Sequence, residues 1–362
     1  MSRFWNRRVR NLEPYVPGEQ PRDRQYIKLN TNENPYPPSP AVFEAIHRAA
    51  SDSLRLYPDP ECTEFREAAA RACRVKPEWV FAGNGSDEIL AFVFAAFFES
   101  SADAPGEPLP ILFPDITYSF YPVYAGLWDI PAGTIPLTGD FSVNVGDYLV
   151  PSGGVILPNP NAPTGKALAP GDLVPLAEYL LKQGKALVID EAYVGFGAES
   201  AVALTAEYPN LLTVHTLSKS HSLAGLRTGF AIGHPDLVEG LRRVRDSFNS
   251  YTLDRLALAG AAAALGDNAY YDEVNRKVAA TRDRVSRELR DMGFSAVPSS
   301  ANFIFIKAPG LPGKQLHEAL RSRGILVRHF NKPRTADYLR VSIGTDDEMD
   351  IFLSECRKLI RS

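Results

Sequence analysis

Between residues 75 and 235 the chain alternates short apolar runs with longer stretches of helical character. The runs contain almost no polar side chains, which is typical of strands that are buried on both faces of a sheet. They lie at 79–81, 111–113, 155–157, 186–189, 211–214 and 230–232. Strands that alternate with helices favour parallel pairing, so the pattern predicts a mostly parallel sheet covered by helices.

The pattern differs on either side of this segment. The first forty residues are rich in Pro, Asn, Tyr and Arg, show no helical period and are predicted to form an extended arm. Beyond residue 250, helical stretches alternate with short strands in a smaller α+β unit. We therefore predict an α/β fold in three parts: an arm (1–40) that joins the small domain, a large domain (41–250) and a small C-terminal domain (251–362).

Composition narrows the class of protein. The chain has 39 Lys and Arg against 43 Asp and Glu, which disfavours a nucleic-acid binder because such proteins carry a basic excess. Three cysteines without a CxxC pair and six scattered histidines predict neither a disulfide framework nor a metal site. No apolar run is long enough to span a bilayer, and no apolar segment follows the arginines near the start. These features predict a cytoplasmic protein.

One lysine lies among small polar residues directly after a predicted strand, in the segment 216–230. A lysine in such a loop can present its amine to a carbonyl group and form a Schiff base, which makes Lys219 a candidate nucleophile. Ser218 and Arg227 supply a hydroxyl and a planar guanidinium, which suit a phosphate group. Taken alone, the segment is more typical of a polar surface loop.

Three further segments also follow predicted strands. Residues 82–89 (AGNGSDEI) place glycines before a helix whose N-terminus favours an anion, although neither a GxGxxG nor a P-loop pattern is present. Asp190 ends the run 186–189, at the edge of the sheet where α/β proteins bind ligands. Residues 159–165 (NPNAPTG) form a turn-rich segment after another strand. By itself each has an ordinary explanation as a helix cap, an ion pair or a plain loop.

Together these segments resemble the fold-type I aminotransferases that use pyridoxal 5′-phosphate (PLP), and most of all the histidinol-phosphate aminotransferases within their class II family. The resemblance covers nearly the whole chain and keeps the order and spacing of the motifs. The matching stretches are 12–18 (LEPYVPG), 28–35 (KLNTNENP), 57–59 (YPD), 83–88 (GNGSDE), 115–119 (DITYS), 190–193 (DEAY), 216–219 (TLSK), 224–227 (AGLR) and 339–342 (LRVS). The resemblance implies a PLP-dependent transaminase of histidine biosynthesis that transfers the amino group of L-histidinol phosphate to 2-oxoglutarate.

The resemblance also assigns roles to residues of this chain. Lys219 would bind the cofactor covalently and then move a proton during the reaction. Asp190 would keep the pyridine nitrogen protonated, and Tyr193 would donate to the phenolic oxygen O3′. Tyr118 would stack on the ring. The phosphate would be held by Gly85, Ser86, Asp87, Ser218 and Arg227.

Tyr57 corresponds to the tyrosine that reaches the phosphate in the neighbouring subunit, which implies a homodimer with shared active sites. At one position the chain departs from the family. Many relatives have an Asn directly before Pro-Thr-Gly that bonds O3′, but this chain has Ala162 there. Asn161, one position earlier, is the candidate replacement, and the alternative is that Tyr193 serves O3′ alone.

Substrate recognition requires groups that bind anions. Arg340 corresponds to the family's carboxylate-binding arginine, and Arg328 at the end of a predicted strand is a second candidate. In the arm, Tyr15 and Asn34 are further candidates for contact with substrate.

The sequence leaves other activities open. A threonine-phosphate decarboxylase shares the fold and also binds an amino compound with a phosphate, and the two differ in which Cα bond lies perpendicular to the ring. An aromatic amino-acid aminotransferase is another alternative. A non-catalytic PLP sensor is disfavoured because Lys219, Asp190 and Arg227 are all present. The expected partners are a small amino donor and a 2-oxo acid, with no nucleic acid and no membrane.

Overall fold

The computed structural model describes residues 3–102 and 106–360, so the first two residues of the predicted arm and the last two of the predicted small domain lie outside it. Seven strands form the central sheet. In spatial order they are β2 (Val80–Gly83), β8 (Gly229–Gly233), β7 (Leu211–Thr216), β6 (Leu187–Asp190), β5 (Gly154–Pro158), β3 (Ile111–Pro114) and β4 (Ala132–Ile135). The strands from β7 to β4 pair in parallel, whereas β8 runs antiparallel to both of its neighbours.

Both faces of this sheet are buried. Ile156 and Val188 point into one core beneath α4 (Gly85–Phe97), α5 (Tyr121–Trp128) and α7 (Pro235–Phe248). Their neighbours in the same strands, Val155 and Leu187, point into a second core beneath α6 (Pro170–Lys182). Because successive strand residues face opposite sides and both sides are covered, the strands are continuous apolar runs.

The edge strand β4 was not predicted from the sequence. Its four residues alternate between exposed and partly buried positions, so it has no continuous apolar run. The pattern of fully buried residues therefore detects the interior strands and misses the edge.

A second sheet of four antiparallel strands forms from the C-terminal part of the chain. Its order is β12 (Arg328–His329), β13 (Tyr338–Ser342), β10 (Phe303–Lys307) and β9 (Ser295–Val297). It shares a core with α9 (Asn268–Asp291), α10 (Gly313–Ser322) and α11 (Asp346–Leu359).

The N-terminal segment is tied to this second unit. The strand β1 (Ile27–Lys28) pairs in parallel with β11 (Ile325–Leu326), and a short helix, α1 (Arg7–Asn11), precedes it in a segment predicted to have no helix. Helices α2 (Pro40–Ala49), α3 (Thr63–Cys73) and α8 (Arg255–Gly266) share one core on the β2–β8 part of the central sheet. Helix α8 thus packs with elements on the other side of the boundary expected at residue 250, and the domain limits stay a prediction. In the described part of the chain, no helix combines the length and the apolar character that a membrane crossing requires.

Candidate active site

A cavity opens at the carboxyl ends of the parallel strands β5, β6 and β7. The last residues of these strands, Pro158, Asp190 and Thr216, line it. Ligands of open α/β sheets bind at this edge because the loops that follow the strands converge there. We call this space the site cavity.

Most of the residues predicted for the site line this cavity. They come from the arm, from both sheets, from the start of α4 and from three different loops, so only the fold brings them together. They are Tyr15, Ser86, Asp87, Tyr118, Asp190, Tyr193, Ser218, Lys219, Arg227, Arg328 and Arg340.

Lys219 lies in the loop after β7, with its side chain partly buried. Its Nζ donates a hydrogen bond to the carbonyl oxygen of Thr31 at 3.0 Å. Burial, together with the positive charges of Arg340 and Arg227, lowers the pKa of the amine to about 8. A fraction of the lysine is therefore neutral and nucleophilic near neutral pH.

Asp190 ends β6 and is 4% exposed. Its Oδ2 accepts from the Tyr121 hydroxyl at 2.8 Å, and its Oδ1 accepts from the backbone N–H of Ala192 at 3.1 Å. Burial raises the pKa of this carboxyl to about 6, although both hydrogen bonds act to lower it. A carboxylate in such a place favours a cationic partner on the cavity side.

Sequence reasoning missed Tyr121. The tyrosine lies at the start of α5, in a helix whose sequence (YPVYAGLW) is typical of a buried core element. Nothing in that pattern shows which hydroxyl finds a polar partner, because Asp190 lies 69 positions further along the chain.

Tyr193 is also buried, and burial raises the pKa of its hydroxyl, so the hydroxyl keeps its proton. Its oxygen accepts from Asn32 Nδ2 at 3.0 Å. The orientation of the Asn32 amide is fixed by Ser342, whose Oγ accepts from the Asn32 backbone N–H and whose hydroxyl donates to Asn32 Oδ1, both at 2.8 Å. The Tyr193 proton is therefore left free to donate elsewhere. Asn32 lies within a stretch that resembles the family, but its role was not predicted.

Three successive arm residues contact three different functional side chains. Asn30 accepts from Arg340 Nη2 at 2.9 Å through its carbonyl oxygen. The next two contacts are those of Thr31 with Lys219 and of Asn32 with Tyr193. The arm is thus part of the wall that positions the site.

An anion cradle lies where α4 begins. The side chain of its N-cap residue, Asn84, makes no capping bond and donates instead to the carbonyl oxygen of Thr252, so this side chain leaves the first N–H groups of the helix open. Gly85 has a φ of +74°, and a Cβ there would lie 2.8 Å from Arg227 Nη2. Only glycine allows the guanidinium to come so close to this turn. Arg227 Nη1 also points to Ser218 Oγ at 3.4 Å.

Asp87 lies beside this cradle, and both of its carboxylate oxygens are already hydrogen-bonded. Its Oδ1 accepts from the Tyr118 hydroxyl at 2.7 Å, and its Oδ2 accepts from Arg227 Nη2 at 3.0 Å. The carboxylate therefore holds the tyrosine and the arginine in place.

Two further arginines, on the paired strands β12 and β13, line the cavity. The buried Nε of Arg340 has no hydrogen-bond partner among the described residues, and the guanidinium lies 5.5 Å from the ring centre of Phe303. Burial lowers the pKa of Arg340, because a buried guanidinium cation is costly without a partner. An anionic ligand that paired with this cation would remove that cost. Arg328 points to backbone oxygens of Val16 and Pro17 at 3.3 and 3.5 Å.

Several predicted residues lie elsewhere. Asn34 does not line the cavity, and its Nδ2 donates to the backbone oxygen of Lys219 at 3.2 Å. Asn161 is also behind the wall, where its amide donates to the Ile116 carbonyl and to Thr164 Oγ1. Tyr57 is 78% exposed and stacks on Tyr251, away from the cavity of its own chain.

Comparison with known proteins gives consistent results. The family model for aminotransferase class I and II matches residues 24–355. The histidinol-phosphate aminotransferase of Clostridium acetobutylicum is 52% identical over 360 residues, which cover 99% of this chain and 100% of that protein. That of Acetobacter pasteurianus is 53% identical over 362 residues, which cover 100% and 99%.

A solved structure confirms the predicted fold class. The histidinol-phosphate aminotransferase of Sinorhizobium meliloti in complex with pyridoxal-5′-phosphate superimposes with a TM-score of 0.88 at 25% sequence identity. The superposition covers 100% of this chain and 98% of that chain.

Proposed function

This chain belongs to the aminotransferase class I and II family, and we propose that it transfers the amino group of L-histidinol phosphate to 2-oxoglutarate with PLP as its cofactor. One observation carries this proposal. A lysine amine of lowered pKa, a buried carboxylate and two arginines meet in one cavity at the carboxyl edge of the sheet. The relatives' names confirm the prediction of a transaminase and favour it over the decarboxylase and the aromatic aminotransferase.

The residues of the site cavity fit PLP. The cradle formed by Gly85, Ser86, Ser218 and Arg227 supplies backbone and side-chain donors for its phosphate. The side chain of Asp87 pairs with Arg227, so we assign it the orientation of this arginine rather than a direct contact with phosphate. Asp190 also lines this cavity, and a protonated pyridine nitrogen would supply the cationic partner that this buried carboxylate favours.

PLP, when bound, supplies an electron-withdrawing ring that accepts the electrons released when the substrate Cα loses a proton. Lys219 Nζ takes that proton and later returns one, as general base and then general acid. A pKa of about 8 lies close to neutral pH, where such a group transfers protons efficiently in both directions.

Two side chains hold protons at fixed positions around the ring. Asp190 keeps the pyridine nitrogen protonated. Tyr193 donates its free hydroxyl proton to O3′, since its oxygen is already bonded by Asn32. Asn161 lies behind the wall, so Tyr193 serves O3′ without it.

The arginines bind the anionic ends of both substrates. L-Histidinol phosphate carries a phosphate and 2-oxoglutarate carries carboxylates, and a planar guanidinium fork pairs with either group. Arg340, with its unpaired Nε, is the principal anchor, and Arg328 lies beside it on the neighbouring strand β12. Asn34 acts indirectly, because it holds the backbone of Lys219.

We further propose a homodimer with shared active sites. Tyr57 lies on a surface with other exposed apolar side chains, including Leu54, Leu56 and Tyr251. Tyr57 does not line the site cavity of its own chain, as expected for a residue that contacts the phosphate in a second subunit. Analytical ultracentrifugation should give the mass of a dimer. Tyr57→Phe should weaken PLP binding but leave the protein dimeric.

The experiment that tests the activity measures L-glutamate formed from L-histidinol phosphate and 2-oxoglutarate by the PLP-loaded protein. We expect glutamate only when both substrates are present. Lys219→Ala should be inactive. The control Lys182→Ala, which changes a lysine on α6 outside the site cavity, should be fully active. Loss of carbon dioxide from O-phospho-L-threonine, or a preference for L-phenylalanine as donor, would instead support one of the alternatives.

A further inference from the structure

Tyr121 lies behind the wall of the site cavity and does not line it. It is 0% exposed and packs against Phe113 and Tyr118, with ring centres 5.8 Å apart in both pairs. Its hydroxyl is the only polar atom of the side chain and donates to Asp190 Oδ2 at 2.8 Å. A tyrosine in this core therefore turns its one polar atom to the carboxylate at the end of β6.

The described groups around Asp190 supply no positive charge that would stabilise its carboxylate, so the hydrogen bond from Tyr121 matters for keeping it ionised. Asp87 lies across from it on α4, and Glu191 follows it in the chain. The negative charge of Asp190 also contributes, after burial, to the raised pKa values of Tyr193 and Tyr124, but neither hydroxyl donates a hydrogen bond to it. None of these groups is a cation, and the backbone N–H of Ala192 is the second donor that reaches the carboxylate.

We propose that Tyr121 is a positioning residue that holds the Asp190 carboxylate in one orientation and keeps it ionised for the pyridine nitrogen of PLP. The inference rests on the proposed function, because it concerns the carboxylate that would pair with that nitrogen. Two donors, one on each oxygen, fix the plane of the carboxylate. A carboxylate that lost the tyrosine donor would rotate more freely and would bind its own proton more tightly.

The direction of the pH effect follows from the same geometry. Burial already raises the pKa of Asp190 to about 6, and the bond from Tyr121 opposes that rise. In Tyr121→Phe the opposing bond is lost and the pKa of Asp190 rises further. PLP binding depends on the ionised carboxylate, so its midpoint on the acid side should move to higher pH.

The test compares Tyr121→Phe with Tyr124→Phe. Both tyrosines lie on α5 and are buried, and both substitutions remove one hydroxyl and keep the ring. The Tyr124 hydroxyl has no hydrogen-bond partner in the described part of the chain, so its loss breaks no bond. For each full-length protein, the PLP dissociation constant is measured from pH 5 to pH 8 by the absorbance of the bound group, and kcat is measured at pH 7.5.

Tyr121→Phe should move the acid midpoint of PLP binding upward by about one pH unit and lower kcat about tenfold, since it removes a hydrogen bond to a charged group. Tyr124→Phe should match the wild type. Equal behaviour of the two variants would overturn the inference while the proposed function stands. A wild-type protein without transaminase activity would instead refute the proposed function.

A double variant separates an effect of Tyr121 on Asp190 from an effect on overall packing. In an Asp190→Asn background the carboxylate is gone, so adding Tyr121→Phe should not weaken PLP binding further. Independent, additive losses in PLP affinity would show that Tyr121 acts on overall packing and not through Asp190.

Discussion

Glu191, the residue after Asp190, gives a quantitative test of the electrostatics around the site. It is 2% exposed, and its carboxylate accepts from Ser200 Oγ at 2.5 Å and from the backbone N–H of Ala201 at 2.6 Å. His215 Nε2 lies 3.6 Å away, but burial lowers the pKa of this histidine to about 3, so it is neutral and forms no ion pair. We predict that Glu191→Gln stabilises the protein at alkaline pH.

The magnitude follows from the pKa. Burial, with a smaller contribution from Asp190, raises the pKa of Glu191 from its ordinary 4.5 to about 7. Each pKa unit corresponds to about 1.4 kcal/mol. Since the folded pKa is raised, Glu191 contributes stability that is fully present below pH 4.5 and is lost as the pH rises through about 7.

The glutamine variant is neutral at every pH and keeps both hydrogen bonds, because its amide oxygen accepts from Ala201 and its NH₂ group donates to Ser200. The difference in unfolding free energy between variant and wild type should therefore grow by about 2–3 kcal/mol from pH 5 to pH 8. Urea unfolding, followed by tryptophan fluorescence at both pH values, measures it. Glu199→Gln, at an exposed position in the same loop, is the control and should give no such growth. A difference that stays within about 0.5 kcal/mol across this range would refute the reasoning.

Three substitutions test the roles assigned within the site cavity. Lys219→Ala should lower kcat at least about a hundredfold, because it removes the group that moves the proton, and should abolish the PLP adduct that borohydride traps. Arg340→Lys should raise the KM for L-glutamate about tenfold or more with a smaller change in kcat, since a single ammonium cannot replace the guanidinium fork; an unchanged KM would place the anion elsewhere. Gly85→Ala should cost about 1–2 kcal/mol of stability and weaken PLP binding, because the added Cβ meets Arg227 and the backbone has a positive φ. Gly171→Ala, in helix α6 where a Cβ meets nothing within 4 Å, should not lower the melting temperature and should leave PLP binding unchanged.

Local sequence determined the elements and the main chemical groups of this protein. Continuous apolar runs predicted β5, β6 and β7, because strands buried on both faces need apolar side chains at every position. The lysine after β7 and the carboxylate at the end of β6 were found for a similar reason. A residue that ends or closely follows such a parallel strand lies at the ligand-binding edge of the sheet, so its position in the chain is enough to predict its location.

The tertiary structure alone decided how those groups are held. Tyr121, Asn32 and Ser342 carry no local sign of their roles, because their hydrogen bonds join positions 69 to 310 residues apart. The same limit explains Asn34, which was expected to contact substrate but turns to the backbone of Lys219. Periodicity reports which side of an element is buried. The partner that a buried polar atom meets depends on the packing of distant elements, and that packing sets the orientation and the pKa of the site.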